Sequence, residues 1–192
     1  MKKIIVFLIL IALAILLAIT IGISQKPKSI NQNGWQTFTS KELGFSITYP
    51  KEWIPHEETS NVSFEAKKNK GDPFAPYVRI TKNLSGPDFD AVSAFNKIYD
   101  AKPNTKIENP NQGDIVIDAT VTKVENLQVD GAKAAKILEE SNIPGPFYAQ
   151  RIYILKDNIV WVISSVAPTS EELDANSNSF SKALSSFKFL TN

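Results

Sequence analysis

A chain of 192 residues with one histidine and no cysteine has few parts from which to build a reactive centre. His56 lies in Trp53-Ile54-Pro55-His56-Glu57-Glu58, and to act as a base or metal ligand it would have to work with Glu57 or Glu58. Sequence neighbours rarely converge on one ion, and there is no second imidazole, so a solvated loop is the expected setting. Serine nucleophiles meet the same shortage, since Ser141, Ser164 and Ser165 would all need that one ring. Thiol catalysis, thiolate metal ligation and lipid attachment through cysteine are excluded by composition. Asp114 and Asp118 share a face if their segment is a strand. At roughly 3.3 Å per residue, however, they stand about 13 Å apart, too far for one cation without other ligands. Glu171, Glu172 and Asp174 read as acids that complement the dipole in the first turn of a helix. Gly71 and Gly145 stand alone, so no phosphate-cradling pattern is written here, and no cofactor is implied.

Two unusual loops carry prolines beside aromatics. Asp72-Pro73-Phe74-Ala75-Pro76-Tyr77 and Asn142-Ile143-Pro144-Gly145-Pro146-Phe147-Tyr148 each fix the backbone next to large rings, a combination that suits docking. If both meet at one edge of the fold, Pro73, Phe74, Tyr77, Pro144, Pro146, Phe147 and Tyr148 form a candidate interaction surface. The same residues would also serve as lids folded onto a core.

These side chains must be positioned by strands and helices that the pattern announces. Phe45, Ile47 and Tyr49 alternate onto one face before Pro50 ends the strand. Residues 62–66 and 77–84 read as further strands, and residues 114–120 alternate more ambiguously. Residues 121–129 and 132–139 form a hairpin around Asp130-Gly131, which supplies the positive φ angles of a tight turn. Residues 148–156 and 159–166 form another around Asp157-Asn158. The second arm is almost continuously apolar, so it needs cover on both faces. Helices at 88–99, behind Ser85-Gly86-Pro87-Asp88, and at 171–186, behind the capping pattern Thr169-x-x-Glu172, are available to provide it. Few strands are separated by a helix, so the class is α+β with a mainly antiparallel sheet flanked by helices.

Ahead of this lies a run without charge, residues 4–23, following Met1-Lys2-Lys3. At about 1.5 Å per residue it matches the roughly 30 Å hydrocarbon core of a bilayer. It exceeds the usual apolar length of a cleaved signal and no Ala-x-Ala site follows. Residues 1–24 are therefore expected to remain as a single-pass signal-anchor helix, with cleavage near Ser24 and secretion as the alternative. Charge at the two ends favours a cytoplasmic N-terminus and an extracytoplasmic C-terminal domain in the cell membrane. Residues 25–34 are polar and read as a tether, leaving 35–192 as one folded domain. A formal net charge of +1, with acids and bases interspersed, disfavours nucleic acid as a partner.

Trp35-Gln-Thr-Phe-Thr-Ser-Lys-Glu-Leu-Gly-Phe-Ser-Ile-Thr-Tyr-Pro-Lys-Glu-Trp53 resembles the opening hairpin of PsbP-like domains, relatives of the extrinsic oxygen-evolving subunit of photosystem II. Phe180 through Ser185-Ser186-Phe187-Lys188-Phe189 resembles their closing helix and short strand. The resemblance implies an α-β-α sandwich that is exported and acts as a binding or assembly module. It does not carry photosystem function, because no ion-binding residue of the family maps onto this chain. The expected function is a membrane-anchored, non-catalytic domain that binds an envelope protein or supports an envelope assembly. The alternative is a hydrolase or a lipid- or small-molecule-binding protein, using a pocket between sheet and helices with Arg151, Asp114 or Glu139 as polar contacts.

Overall fold

A computed structural model of the chain describes residues 30–31, 34–66, 76–83, 90–107, 119–141 and 147–191. Two sheets are built from them, and every ladder is antiparallel. The smaller has the order β1-β2-β3-β12, with β1 (Ile30–Asn31), β2 (Trp35–Ser40), β3 (Phe45–Pro50) and β12 (Lys188–Phe189). The larger has the order β4-β5-β6-β11-β10-β9-β8-β7. Its strands are β4 (Trp53–Glu57), β5 (Asn61–Ala66), β6 (Tyr77–Asn83), β7 (Lys106–Ile107), β8 (Ala119–Val129), β9 (Ala132–Ser141), β10 (Phe147–Lys156) and β11 (Ile159–Ala167). The expected class, α+β with antiparallel strands, is what forms, although the strands divide between two sheets.

β11 explains the layering. Both of its faces are buried over most of its length, as its apolar sequence requires. One face meets helix α1 (Ala91–Tyr99), where Ala91 and Phe95 pack against Val121, Ile137, Tyr153, Val160 and Val162. The other meets helix α2 (Ser170–Ser185) and the small sheet. There Phe180, Ala183, Phe45, Ile47 and Tyr49 join Val62, Phe64, Val78, Ile80, Ile152, Ile154, Trp161 and Ile163 in the main core. Phe45 stacks on Phe187 with centroids 5.5 Å apart, and Trp161 meets Phe45 edge-on at 5.9 Å.

Local chemistry sets the element ends. Thr169 caps α2: its hydroxyl accepts from the Glu172 amide at 3.2 Å and lies 3.2 Å from the Glu172 carboxylate. Asp90 caps α1 by accepting from the Ser93 amide at 3.0 Å, so this helix starts later than residue 88. Asp130-Gly131 and Asp157-Asn158 have positive φ at both positions and close their hairpins as expected. Gly44, at φ +85°, turns β2 into β3. Asp130 also reaches the C-terminal strand, accepting from Lys188 Nζ at 2.8 Å and from the Phe189 amide at 2.9 Å.

Two readings of the sequence change. Residues 53–57, expected as a loop, form edge strand β4, where Pro55 is tolerated because an edge leaves one row of backbone groups unpaired. Ile30–Asn31, within the interval expected as tether, pair with Gln36 and Trp35. Among the described residues no helix is long and apolar enough to cross a membrane. The apolar run 4–23 lies outside them, as do Asp114 and Asp118.

Candidate functional site: a polar strip across the helix α1 face

Cross-strand partners in an antiparallel sheet project from the same face, so the register lays out a row of side chains across five strands. His56 on β4 stands opposite Ser63 on β5, Ser63 opposite Arg79 on β6, Arg79 opposite Ser164 on β11, and Ser164 opposite Arg151 on β10. The adjoining row carries Ile54, Glu65, Tyr77, Val166, Ala149 and Glu139. Both rows lie on the side of the sheet that α1 covers, because Arg151 shares parity on β10 with Tyr153 of the α1 cluster.

Among the described residues helix α1 packs mainly across β9, β10 and β11, and on the β4 to β6 half of this face Arg79 and His56 are exposed. The strip therefore has a buried and an exposed half. In the buried half Arg151 Nε donates to Glu139 Oε2 at 2.7 Å, and one terminal nitrogen donates to Ser164 Oγ at 3.2 Å. Arg151 is 8% exposed and Glu139 4%. Burial alone would disfavour the charged guanidinium, but the Glu139 carboxylate, with Tyr153 and Tyr77, overcomes it and holds Arg151 above the ordinary arginine value. Tyr153 is pushed well above the tyrosine range, first by burial and then by the nearby Glu139 carboxylate, to which it is hydrogen-bonded. Among the described residues every buried side-chain polar atom has a hydrogen-bond partner.

In the open half His56 Nε2 lies 2.9 Å from Glu65 Oε1, across the β4–β5 ladder, and not against Glu57 or Glu58. Arg79 is exposed and holds its guanidinium carbon 5.0 Å from the centre of the Tyr77 ring. With roughly 4.8 Å between neighbouring strands, His56 and Ser164 stand about 14 Å apart, too far for a serine–imidazole pair. Among the described residues no group of acidic or histidine side chains is placed to hold a metal ion.

Of the proposed interaction surface, Tyr77, Phe147 and Tyr148 are described, while Pro73, Phe74, Pro144 and Pro146 fall outside the described residues. The strand ends that bear them gather at one end of the large sheet, with β11 standing between β6 and β10. Tyr77 and Phe147 project to the α1 face and Tyr148 to the α2 face; all three are half-buried. Arg151 and Glu139, expected as contacts in a pocket, contact each other. A small apolar recess, about 260 Å³ including the open space at its mouth, lies on the opposite face between Tyr49, Trp53, Phe64, Val78 and Phe180. The sequence reading missed Tyr153, Glu65 and Arg79. Their signal was the alternation of polar with apolar residues along β5, β6 and β10.

Helices on opposite faces of an antiparallel sheet, with a smaller sheet beside the second helix, define an α+β sandwich with apolar cores on both faces and one closed polar network on the α1 face. The chain belongs to the PsbP-like protein family, whose model matches residues 3–189. The solution structure of cyanobacterial PsbP (CyanoP) from Synechocystis sp. PCC 6803 has a TM-score of 0.55 at 12% identity, over 88% of this chain and 99% of that one. A crystal structure from Bacteroides thetaiotaomicron VPI-5482 has a TM-score of 0.51 at 13% identity, over 81% of this chain and 48% of that one, so this chain spans about half its length. At such identities the likeness shows the fold alone. No curated protein matches the chain.

Proposed function

We propose that this protein is a membrane-tethered, extracytoplasmic binding or assembly module without catalytic activity of its own, recognising another envelope protein through the exposed half of the polar strip. One observation carries the reading: Arg151, Glu139, Ser164 and Tyr153 satisfy one another, while the same sheet face continues over β4 to β6 as exposed Arg79 and His56 beside half-buried Glu65 and Tyr77. A closed buried network holds a surface rigid, and rigid surfaces that mix an aromatic with arginine suit protein partners. The anchor reading is supported by the uncharged run, which lies inside the residues matched by the family model. The pocket alternative is less well supported, since the charged pair and the apolar recess lie on opposite faces.

A photo-crosslinking residue at Arg79 in the full-length protein, in its native envelope, tests this. A discrete adduct absent from an anchor-only control and from the same probe at exposed Glu171 is the expected result. Adducts equal in kind and yield at both positions would sink the strip as an interface.

A further inference from the structure

We infer that the domain stands on the membrane in one orientation, with its β2–β3 turn toward the lipid headgroups and the Tyr77, Phe147 and Tyr148 end directed away. This deepens the proposed function and rests on the anchor reading. The apolar run ends at residue 23 and strand pairing begins at Ile30. The chain between them, at about 3.3–3.6 Å per residue, reaches at most about 25 Å. A fully solvated tether up to Trp35 would have allowed free tumbling; the pairing of Ile30 with Gln36 removes much of that slack.

Strand direction then selects the end. β1 runs antiparallel to β2, so the chain reaches Ile30 from the side of Ser40. To meet a bilayer lying beyond Trp35 instead, it would have to reverse within residues 24–29. The Ser40 side is where the tight turns collect. Lys82 Nζ donates to the Leu43 carbonyl at 3.2 Å, the Leu190 amide to the Gly44 carbonyl at 2.9 Å, and the Phe189 amide to the Asp130 carboxylate at 2.9 Å. These bonds bind turns from both sheets into one blunt end. Lys41 stands beside Glu42 there, Lys156 beside Asp157 and Lys188 against Asp130, so most of the charge at this end is offset, and strand direction rather than electrostatic attraction sets the approach.

The chain has no cysteine, so single labels can be placed at will. Full-length Lys41→Cys and Glu52→Cys proteins, both substituted at exposed turn positions on opposite ends of β3, are labelled with a donor dye. They are then incorporated into nanodiscs carrying an acceptor on the headgroups. Transfer stronger from position 41 than from position 52, and unchanged between low and high salt, is expected. Disc-bound protein with equal or reversed transfer overturns the orientation while leaving the anchor intact. Protein that never incorporates overturns the anchor reading, and the orientation with it.

Discussion

Arg151 donates to Glu139 diagonally across the β9–β10 ladder, at 2.7 Å and almost out of reach of water. Two desolvated charges are tolerable there only because each completes the other. Arg151→Met leaves Glu139 buried without its counter-charge and is expected to cost about 3–5 kcal/mol. Adding Glu139→Leu should bring stability back to within about 2 kcal/mol of the parent, the remainder being the acceptor lost by Tyr153. Urea denaturation of the two single variants and the double variant measures this. Simple additivity of the single losses would refute the coupling.

Tyr153 gives the protein an alkaline limit. Its folded pKa lies above the ordinary 10.0, so the unfolded chain ionises first; the stability it contributes is intact below pH 10 and drains away above it. One such group steepens the loss by about 1.4 kcal/mol per pH unit. Thermal melts between pH 8 and pH 12 should show that fall, and Tyr153→Phe should flatten it.

Asp130 works at the acid end. Its carboxyl is held below 3.8, chiefly by the hydrogen bond from Lys188 and then by the Phe189 amide. Its contribution is present above pH 3.8 and is lost as pH falls through the lower folded value. The site is exposed, so Asp130→Asn, which keeps the left-handed turn, should cost no more than about 1 kcal/mol at neutral pH. Melts from pH 2 to pH 7 should show the variant losing less stability than the parent across the acid range. Parallel curves would mean that the tie to β12 carries no charge dependence.

Gly44 isolates backbone strain from crowding. A Cβ added there would meet nothing within 4 Å, yet φ is +85°. Gly44→Ala is expected to destabilise by about 1–2 kcal/mol through conformation alone, whereas Gly44→Asn should lose less. Equal losses for both in chemical denaturation would point to another cause.

Whatever depends on a few adjacent residues was readable in advance. The two hairpin turns, the Thr169 cap and the double-sided burial of β11 all follow from local grammar. β4 was hidden because Pro55 argues against a strand unless the strand is known to lie at an edge. The pairing of Arg151 with Glu139 was hidden for a different reason: it depends on the register between β9 and β10, which no single segment encodes. Both residues were recognisable as notable charges in apolar strands, but not as partners. The pairing of β12 with β3 was hidden for the same reason, since it joins segments from opposite ends of the domain's sequence.

β6 finds its neighbour in β11, with Arg79 opposite Ser164. During synthesis, therefore, β4, β5 and β6 emerge long before the strand that will cover their flank. Phe64 already has Phe38 and Tyr49 beside it, but β6 keeps an open ladder edge until β11 arrives. Such non-local closure is slow and invites premature association. A nascent chain halted at Lys156 should leave the β4 to β6 amides unprotected against hydrogen exchange, so this protein completes itself only when its last fifth arrives.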